Sequence, residues 1–141
     1  MSKIVVAGGG WSGCAAAIQA KKMGADVVLL ERTDMLLGTG LVGGIMRNNG
    51  RFTATEEMIA MGGGELFQVI ENNLKHKNIN FPGHEHADLY NVATIGTAVQ
   101  RYVESLGIDV HTKSRLVGIL KDNNKILSVK DADGNVYEGD M

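Results

Sequence analysis

Lys3-Ile4-Val5-Val6-Ala7-Gly8-Gly9-Gly10-Trp11-Ser12-Gly13-Cys14-Ala15-Ala16-Ala17-Ile18-Gln19-Ala20 opens the chain with an apolar run, a cluster of glycines and an alanine-rich run. Residues 3–7 are a short apolar run of the length of a buried strand. The glycines that follow form a tight turn, and the alanine-rich run from Cys14 has strong helix propensity. Gly8, Gly10 and Gly13 have G-x-G-x-x-G spacing. The first glycine permits the sharp turn. The second lets a pyrophosphate approach the backbone, and the third lets helix pack on strand. Unpaired N–H groups at the helix start, with the helix dipole behind them, then face the phosphates.

The motif alone is weak in a chain with 19 glycines, and its context strengthens it. Asp26-Val27-Val28-Leu29-Leu30 is a second apolar run, and it ends at Glu31. Glu31 stands eighteen residues after Gly13, close to the ~20 expected of the acid that binds an adenosine ribose. Strand, glycine turn, helix, strand and acid in this order predict a dinucleotide-binding unit, against chance glycines in an ordinary βαβ unit.

The 141 residues are one domain's worth and enough to bury a core. A net charge of −2 provides no strong field for nucleic acid or anionic lipid. No apolar run approaches the ~18 residues of a membrane span. Met1-Ser2-Lys3 leads straight into the first strand without a signal-peptide pattern, which reads as cytoplasmic. Cys14, the single cysteine, cannot form an internal disulfide, and its place in the first helix favours core packing over redox chemistry.

After Glu31 and Arg32 comes a second glycine-rich segment, Gly38-Thr39-Gly40-Leu41-Val42-Gly43-Gly44. It can be a flexible connection or a loop wrapping a ligand. Its position at the carboxyl end of a strand, beside the phosphate turn, favours the ligand loop. Arg47 to Arg51 continues it with an Asn-Gly turn signal. Thr53 and Glu56 have capping-box spacing for a short helix, which Gly62-Gly63-Gly64 breaks as a hinge. Glu65 to Lys77 reads as helical, with Leu66, Val69, Ile70 and Leu74 on one stripe. Asn78 to His86 reads as a loop around Pro82, and Asp88 to Leu106 as a helix stopped by Gly107. Its apolar face is Val92, Ile95, Val99, Tyr102, Val103 and Leu106. His84-Glu85-His86 invites a metal reading, but no other cluster supplies the three or four ligands that zinc usually takes. Ile108 to Thr112 is a short parallel strand. Leu116–Leu120, Ile126–Lys130 and Asn135–Glu138 then form an antiparallel meander joined at Asp122-Asn123-Asn124 and Asp133-Gly134-Asn135.

The chain resembles the FAD-binding domain of glutathione-reductase-like flavoproteins. More narrowly, it resembles the FAD-dependent oxidoreductase family related to the flavoprotein subunits of fumarate reductase and heterodisulfide reductase. The residues that carry this are Ile4 to Gly13, Val28 to Arg32, Gly38 to Gly43, and Gly107-Ile108-Asp109-Val110 leading to Leu116 and Ile119. The resemblance is strongest over the first ~35 residues and looser between Arg51 and Asn91. It implies an α/β, Rossmann-like FAD/NAD(P)-binding fold, a parallel sheet with helices plus a three-stranded meander, and FAD as cofactor. By position, backbone at Gly8, Gly9, Gly10, Trp11, Ser12 and Gly13 would hold the pyrophosphate and Glu31 the ribose. Arg32 would lie near the adenine, and Gly38, Thr39 and Gly40 would line the flavin side of the pyrophosphate. Leu116 would meet the adenine edge through its main chain. Trp11 departs from the family, whose residue there is smaller; its indole must lie along the surface or over the cofactor.

Relatives carry a further strand after the meander and then a substrate domain. The sequence thus reads as the N-terminal part of an FAD-binding domain across residues 1–141, from a longer enzyme whose catalytic residues and substrate lie elsewhere. An NAD(P)-binding module and a truncated, non-catalytic interaction domain are the alternatives. The strand edge left open can pair with a second copy.

Overall fold

The computed structural model describes residues 1–49, 59–60 and 64–140. In chain order the elements are β1 (Lys3–Ala7), α1 (Trp11–Lys22), β2 (Asp26–Leu30), a 3-10 turn (Gly38–Gly40), β3 (Arg47–Asn49), α2 (Glu65–Glu71), β4 (Leu74–Phe81), β5 (His84–Tyr90), α3 (Val92–Ser105), β6 (Asp109–His111), β7 (Leu116–Asp122), β8 (Lys125–Asp131) and β9 (Val136–Glu138). Among the described residues the strands form sheets of order β1-β2-β6, β3-β5-β4 and β7-β8-β9.

The first sheet is parallel, as the opening strand–turn–helix–strand pattern requires. β1 and β2 pair without a register shift from Lys3 and Asp26 to Ala7 and Leu30, and β6 joins the far side of β2. A parallel sheet is covered on both faces, so its central strand is a continuous apolar run; Val27, Leu29 and Leu30 are accordingly buried. α1 adds Cys14, Ala17 and Ile18 to the core at i, i+3, i+4 spacing, and α3 adds Ile95, Val99 and Val103 from successive turns. Each fully buried Val, Leu or Ile contributes about 1.5–3 kcal/mol to the folded state.

Between Glu65 and Leu106 the fold differs from the sequence reading. The helix expected over Glu65–Lys77 ends at Glu71, and the expected loop of Asn78–His86 is instead the hairpin of β4 and β5. The helix expected from Asp88 begins at Val92. The cause is local side-chain competition followed by strand pairing. The Asn73 side chain donates to the Val69 carbonyl at 2.8 Å and its N–H to Ile70 at 2.9 Å, which closes α2 early. Asn91 then caps α3 by accepting from the Ala93 N–H at 3.0 Å. Between these asparagines the chain pairs as strands, turning at Pro82-Gly83, where Gly83 takes φ +83°. β3 adds to β5 over Arg47–Asn49, part of the stretch read as a continuation of the glycine loop. Leu66, Val69, Ile70 and Leu74 all reach the core, although Leu74 does so from a strand. The capping box at Thr53 and Glu56, and Gly62 and Gly63 of the triple glycine, lie outside the described residues; Gly64 is the N-cap of α2.

The meander forms as expected, with each strand within two residues of its sequence bounds. Its tie point is Asp131, whose carboxylate accepts from the Ser114 hydroxyl, the Asp133 and Asn135 amides, the Asn135 side chain and the Tyr137 hydroxyl, all within 3.2 Å. These donors, Asn135 foremost, favour the charged form and lower its pKa from 3.8 to about 2. A depressed carboxyl pKa contributes stability that is fully present above the unfolded value and lost as pH falls toward the folded one. Acid titration followed by circular dichroism is therefore expected to show stability falling between pH 3.8 and about 2. Asp131→Asn should flatten that slope and lower stability at neutral pH.

β1 lies at the edge of its sheet, with the end of that edge already covered: the Asp140 amide donates to the Lys3 carbonyl at 2.8 Å, and the Lys3 amide to the Asp140 carboxylate at 2.9 Å. Among the described residues, no helix is long and apolar enough to cross a membrane.

Candidate functional site

The turn between β1 and α1 is built by three glycines with different tasks. Gly8 has φ +107°, and its amide donates to the Leu30 carbonyl at 2.7 Å, joining the turn to the end of β2. A Cβ on Gly13 would stand 1.7 Å from the Gly8 carbonyl oxygen, so the first turn of α1 rests directly on the loop. A Cβ on Gly8 or Gly10 would meet nothing within 4 Å, which means that open space lies over the turn. No side chain caps α1, and its first turn carries no acidic residue. Its leading N–H groups therefore remain directed at that space, with the positive end of the helix dipole. A diphosphate needs backbone donors and room above them, and the start of α1 offers both.

Glu31 is buried and points at the turn. One carboxylate oxygen accepts from the Gly9 N–H at 2.8 Å; the other accepts from the Thr33 amide at 2.8 Å and the Thr33 hydroxyl at 2.9 Å. An ionised carboxylate has about four acceptor positions, so roughly one remains for a sugar hydroxyl. A second becomes free if the Thr33 hydroxyl donates its single proton to its other acceptor, the Met35 carbonyl at 2.9 Å. Thr33 was not among the residues singled out from sequence. Its only signal there is a hydroxyl two residues after the acid, on the chain segment leaving the strand.

The second glycine-rich segment lies on the first. The Leu37 amide donates to the Gly9 carbonyl at 2.8 Å, and Leu37 and Gly10 form a parallel bridge. A Cβ on Gly38 would stand 3.2 Å from the Gly10 Cα. Gly38, Thr39 and Gly40 thus form a 3-10 turn flanking the phosphate turn, with Thr39 exposed. Trp11 begins α1, but its indole turns toward the core. Its ring lies 5.5 Å from that of Phe67 and 6.2 Å from that of Tyr90. Ser12 is exposed at the helix start.

A cleft of about 420 Å³ opens beside Glu31, lined by Ala7, Gly8, Leu30, Glu31, Arg32, Ser114, Arg115 and Leu116. It is assembled by backbone bonds that carry the segment after β6 across the end of β2. The Ser114 amide donates to the Glu31 carbonyl at 2.9 Å, and the Lys113 amide to the Thr33 carbonyl at 2.7 Å. Residues 8–13, 31–32, 38–40 and 116 are thereby brought to one end of the parallel sheet.

Cys14 is fully buried under the turn, where its thiol donates to the Gly9 carbonyl at 3.3 Å. Burial pushes its pKa up to about 11, so it stays a protonated packing group. His111 pairs with Asp109 and His86 with Asn78, and the described residues contain no cluster able to hold a metal ion.

Several solved structures share this fold at low sequence identity. The chain is similar to the Diels-Alderase PyrE3 of pyrroindomycin biosynthesis, with 22% identity and a TM-score of 0.65 over 99% of this chain and 31% of that one. It is similar to a ferredoxin reductase for the CYP199A2 system from Rhodopseudomonas palustris, with 16% identity and a TM-score of 0.58 over 99% of this chain and 22% of that one. It is also similar to a variant of 2-methyl-3-hydroxypyridine-5-carboxylic acid oxygenase, with 21% identity and a TM-score of 0.62 over 100% of this chain and 38% of that one. The chain thus spans about a fifth to two fifths of the length of these structures. No curated protein sequence matches it. The family model for FAD dependent oxidoreductases matches residues 3–139, nearly the whole chain. The chain belongs to the FAD dependent oxidoreductase family, and its cofactor is FAD.

Proposed function

We propose that residues 1–141 are the cofactor-holding part of a larger flavin-dependent oxidoreductase. FAD, when bound, supplies the hydride or electron transfer; the residues of this chain bind and orient it. The Gly8–Gly13 backbone holds the pyrophosphate: the N–H groups of Gly10, Trp11, Ser12 and Gly13 face it, while those of Gly8 and Gly9 fix the turn through Leu30 and Glu31. Glu31 accepts from the ribose hydroxyls. Arg32 and the main chain at Leu116 flank the adenine in the cleft, and Gly38, Thr39 and Gly40 border the pyrophosphate on its flavin side. No acid or base is assigned, because no pair of titratable groups in the cleft has the geometry for proton transfer to a substrate. Substrate-binding groups belong to other segments of the longer enzyme, in keeping with the fraction of related chains that this one spans.

The observation that carries this reading is the Glu31 carboxylate, buried and aimed into the glycine turn beside an open cleft. The test is titration of the purified chain with FAD and, separately, with NADH. Quenching of flavin fluorescence with saturation by FAD is expected, and little response to NADH. The reverse preference would replace FAD by a nicotinamide cofactor. A folded sample that binds neither would point to an interaction domain.

A further inference from the structure

We propose that Tyr90 is a positioning residue for the FAD site, acting through the second glycine-rich segment; the inference rests on the reading of the turn as the FAD cradle. Tyr90 closes β5 just before the cap of α3 and is only 2% exposed. Its hydroxyl lies far from the cleft in sequence, yet it sits between two carbonyl oxygens of the glycine segment. It donates to Gly40, and Ile45 accepts at 3.1 Å. A phenol has one proton, so the two carbonyls share or alternate it. The Tyr90 ring lies 6.2 Å from that of Trp11, the residue that begins α1. The Tyr90 side chain thus meets both the glycine segment and the start of α1.

Three further observations converge on this tie. A Cβ on Gly40 would stand 2.0 Å from the Trp11 indole nitrogen and 2.7 Å from the Tyr90 oxygen, so the segment is pressed against both rings. The segment's upstream end is bonded to the phosphate turn by Leu37 and Gly9. Its downstream end is held by β3, which pairs with β5 from Arg47 and Leu89 onward. Between these anchors, Gly38 to Ile45 contains four glycines, and its backbone–backbone hydrogen bonds are turns within the segment. A chain of that composition has large conformational freedom. Tyr90 is the side chain that removes this freedom at mid-span, and with it the freedom of the wall that Gly38 forms against Gly10.

Tyr90→Phe tests this, because it keeps the ring and removes only the oxygen. Two readouts are taken on the full chain. Amide hydrogen exchange is expected to accelerate selectively at residues 38–45, with β1, β2 and α3 unchanged. FAD affinity is expected to fall about tenfold, the consequence of one buried hydrogen-bonded pin lost. Gly40→Ala, which wedges the same contact apart by pressing on Trp11 and Tyr90 while keeping the Tyr90 hydroxyl, should reproduce both effects and serves if Tyr90→Phe folds poorly. Unchanged exchange at residues 38–45 overturns the pin. Acceleration spread evenly over the core strands also overturns it, since Tyr90 would then be an ordinary core residue. Unchanged FAD affinity in a variant whose wild-type parent binds FAD overturns its role at the site. A wild-type chain that binds no FAD instead overturns the functional reading, while the exchange experiment still decides the pin.

Discussion

Gly13→Ala is expected to abolish measurable FAD binding at micromolar concentration and to lower the thermal midpoint. The added Cβ would lie 1.7 Å from the Gly8 carbonyl oxygen, and that oxygen belongs to backbone. No side-chain rotation relieves such an overlap. Either the first turn of α1 lifts from β1, or the Gly8–Gly9 peptide rotates and gives up the 2.8 Å bond from the Gly9 N–H to Glu31. Overpacking of this kind costs about 3 kcal/mol at the upper end of its usual range. Both ways of relieving it displace the helix N–H groups that receive the diphosphate. The same alanine at Gly10 would meet no protein atom within 4 Å. In the absence of cofactor Gly10→Ala should therefore melt near wild type, while still blocking the close approach of a phosphate. Thermal melts of the two variants, with and without FAD, separate a glycine needed for folding from one needed for the ligand. Equal melting of both apo variants would count against this division of labour.

Glu31→Ala is expected to weaken FAD binding by about a hundredfold, equivalent to roughly 3 kcal/mol for hydrogen bonds to a buried charged group. It should also destabilise the cofactor-free domain, because the Gly9 and Thr33 amides lose their acceptor. Glu31→Gln is expected to be almost as damaging. Each carboxylate oxygen faces a backbone N–H, one from Gly9 and one from Thr33. Whichever way the amide is turned, its NH2 group confronts a donor. Isothermal titration with FAD on both variants measures this. Wild-type affinity in Glu31→Gln would mean that the acid does not face the ribose as a carboxylate.

Much of the candidate site is legible in the chain because its requirements are local. Gly8, Gly10 and Gly13 are read from spacing, and each spacing answers a steric need within one turn and one helix. Glu31 is read from its distance to the glycines, since the length of one helix and one strand places it at the same sheet end. The Gly38–Gly44 loop is read from its glycines and its place after β2, its role toward the pyrophosphate and that of Leu116 from family resemblance, and their assembly depends on long-range backbone bonds from Ser114 to Glu31 and from Leu37 to Gly9. Tyr90 and Thr33 carry no motif. Tyr90 meets Gly40 across fifty residues, a separation that no periodicity reports.

The parallel core, the glycine turn and the meander follow from local sequence alone. Their signals are apolar runs of strand length, turn residues between them and a helix whose propensity agrees with its place. The hairpin of β4 and β5, the early end of α2 at Asn72-Asn73, and the inward turn of Trp11 were decided only by tertiary structure. Short segments such as Leu74–Phe81 have no strong intrinsic preference, so pairing with β5, itself held on its other side by the distant β3, selects their conformation. Trp11, expected along the surface or over the cofactor, takes neither place, and core packing is the one its ring finds instead. The pocket between Phe67 and Tyr90, which exists only once α2 and β5 are packed, settles this.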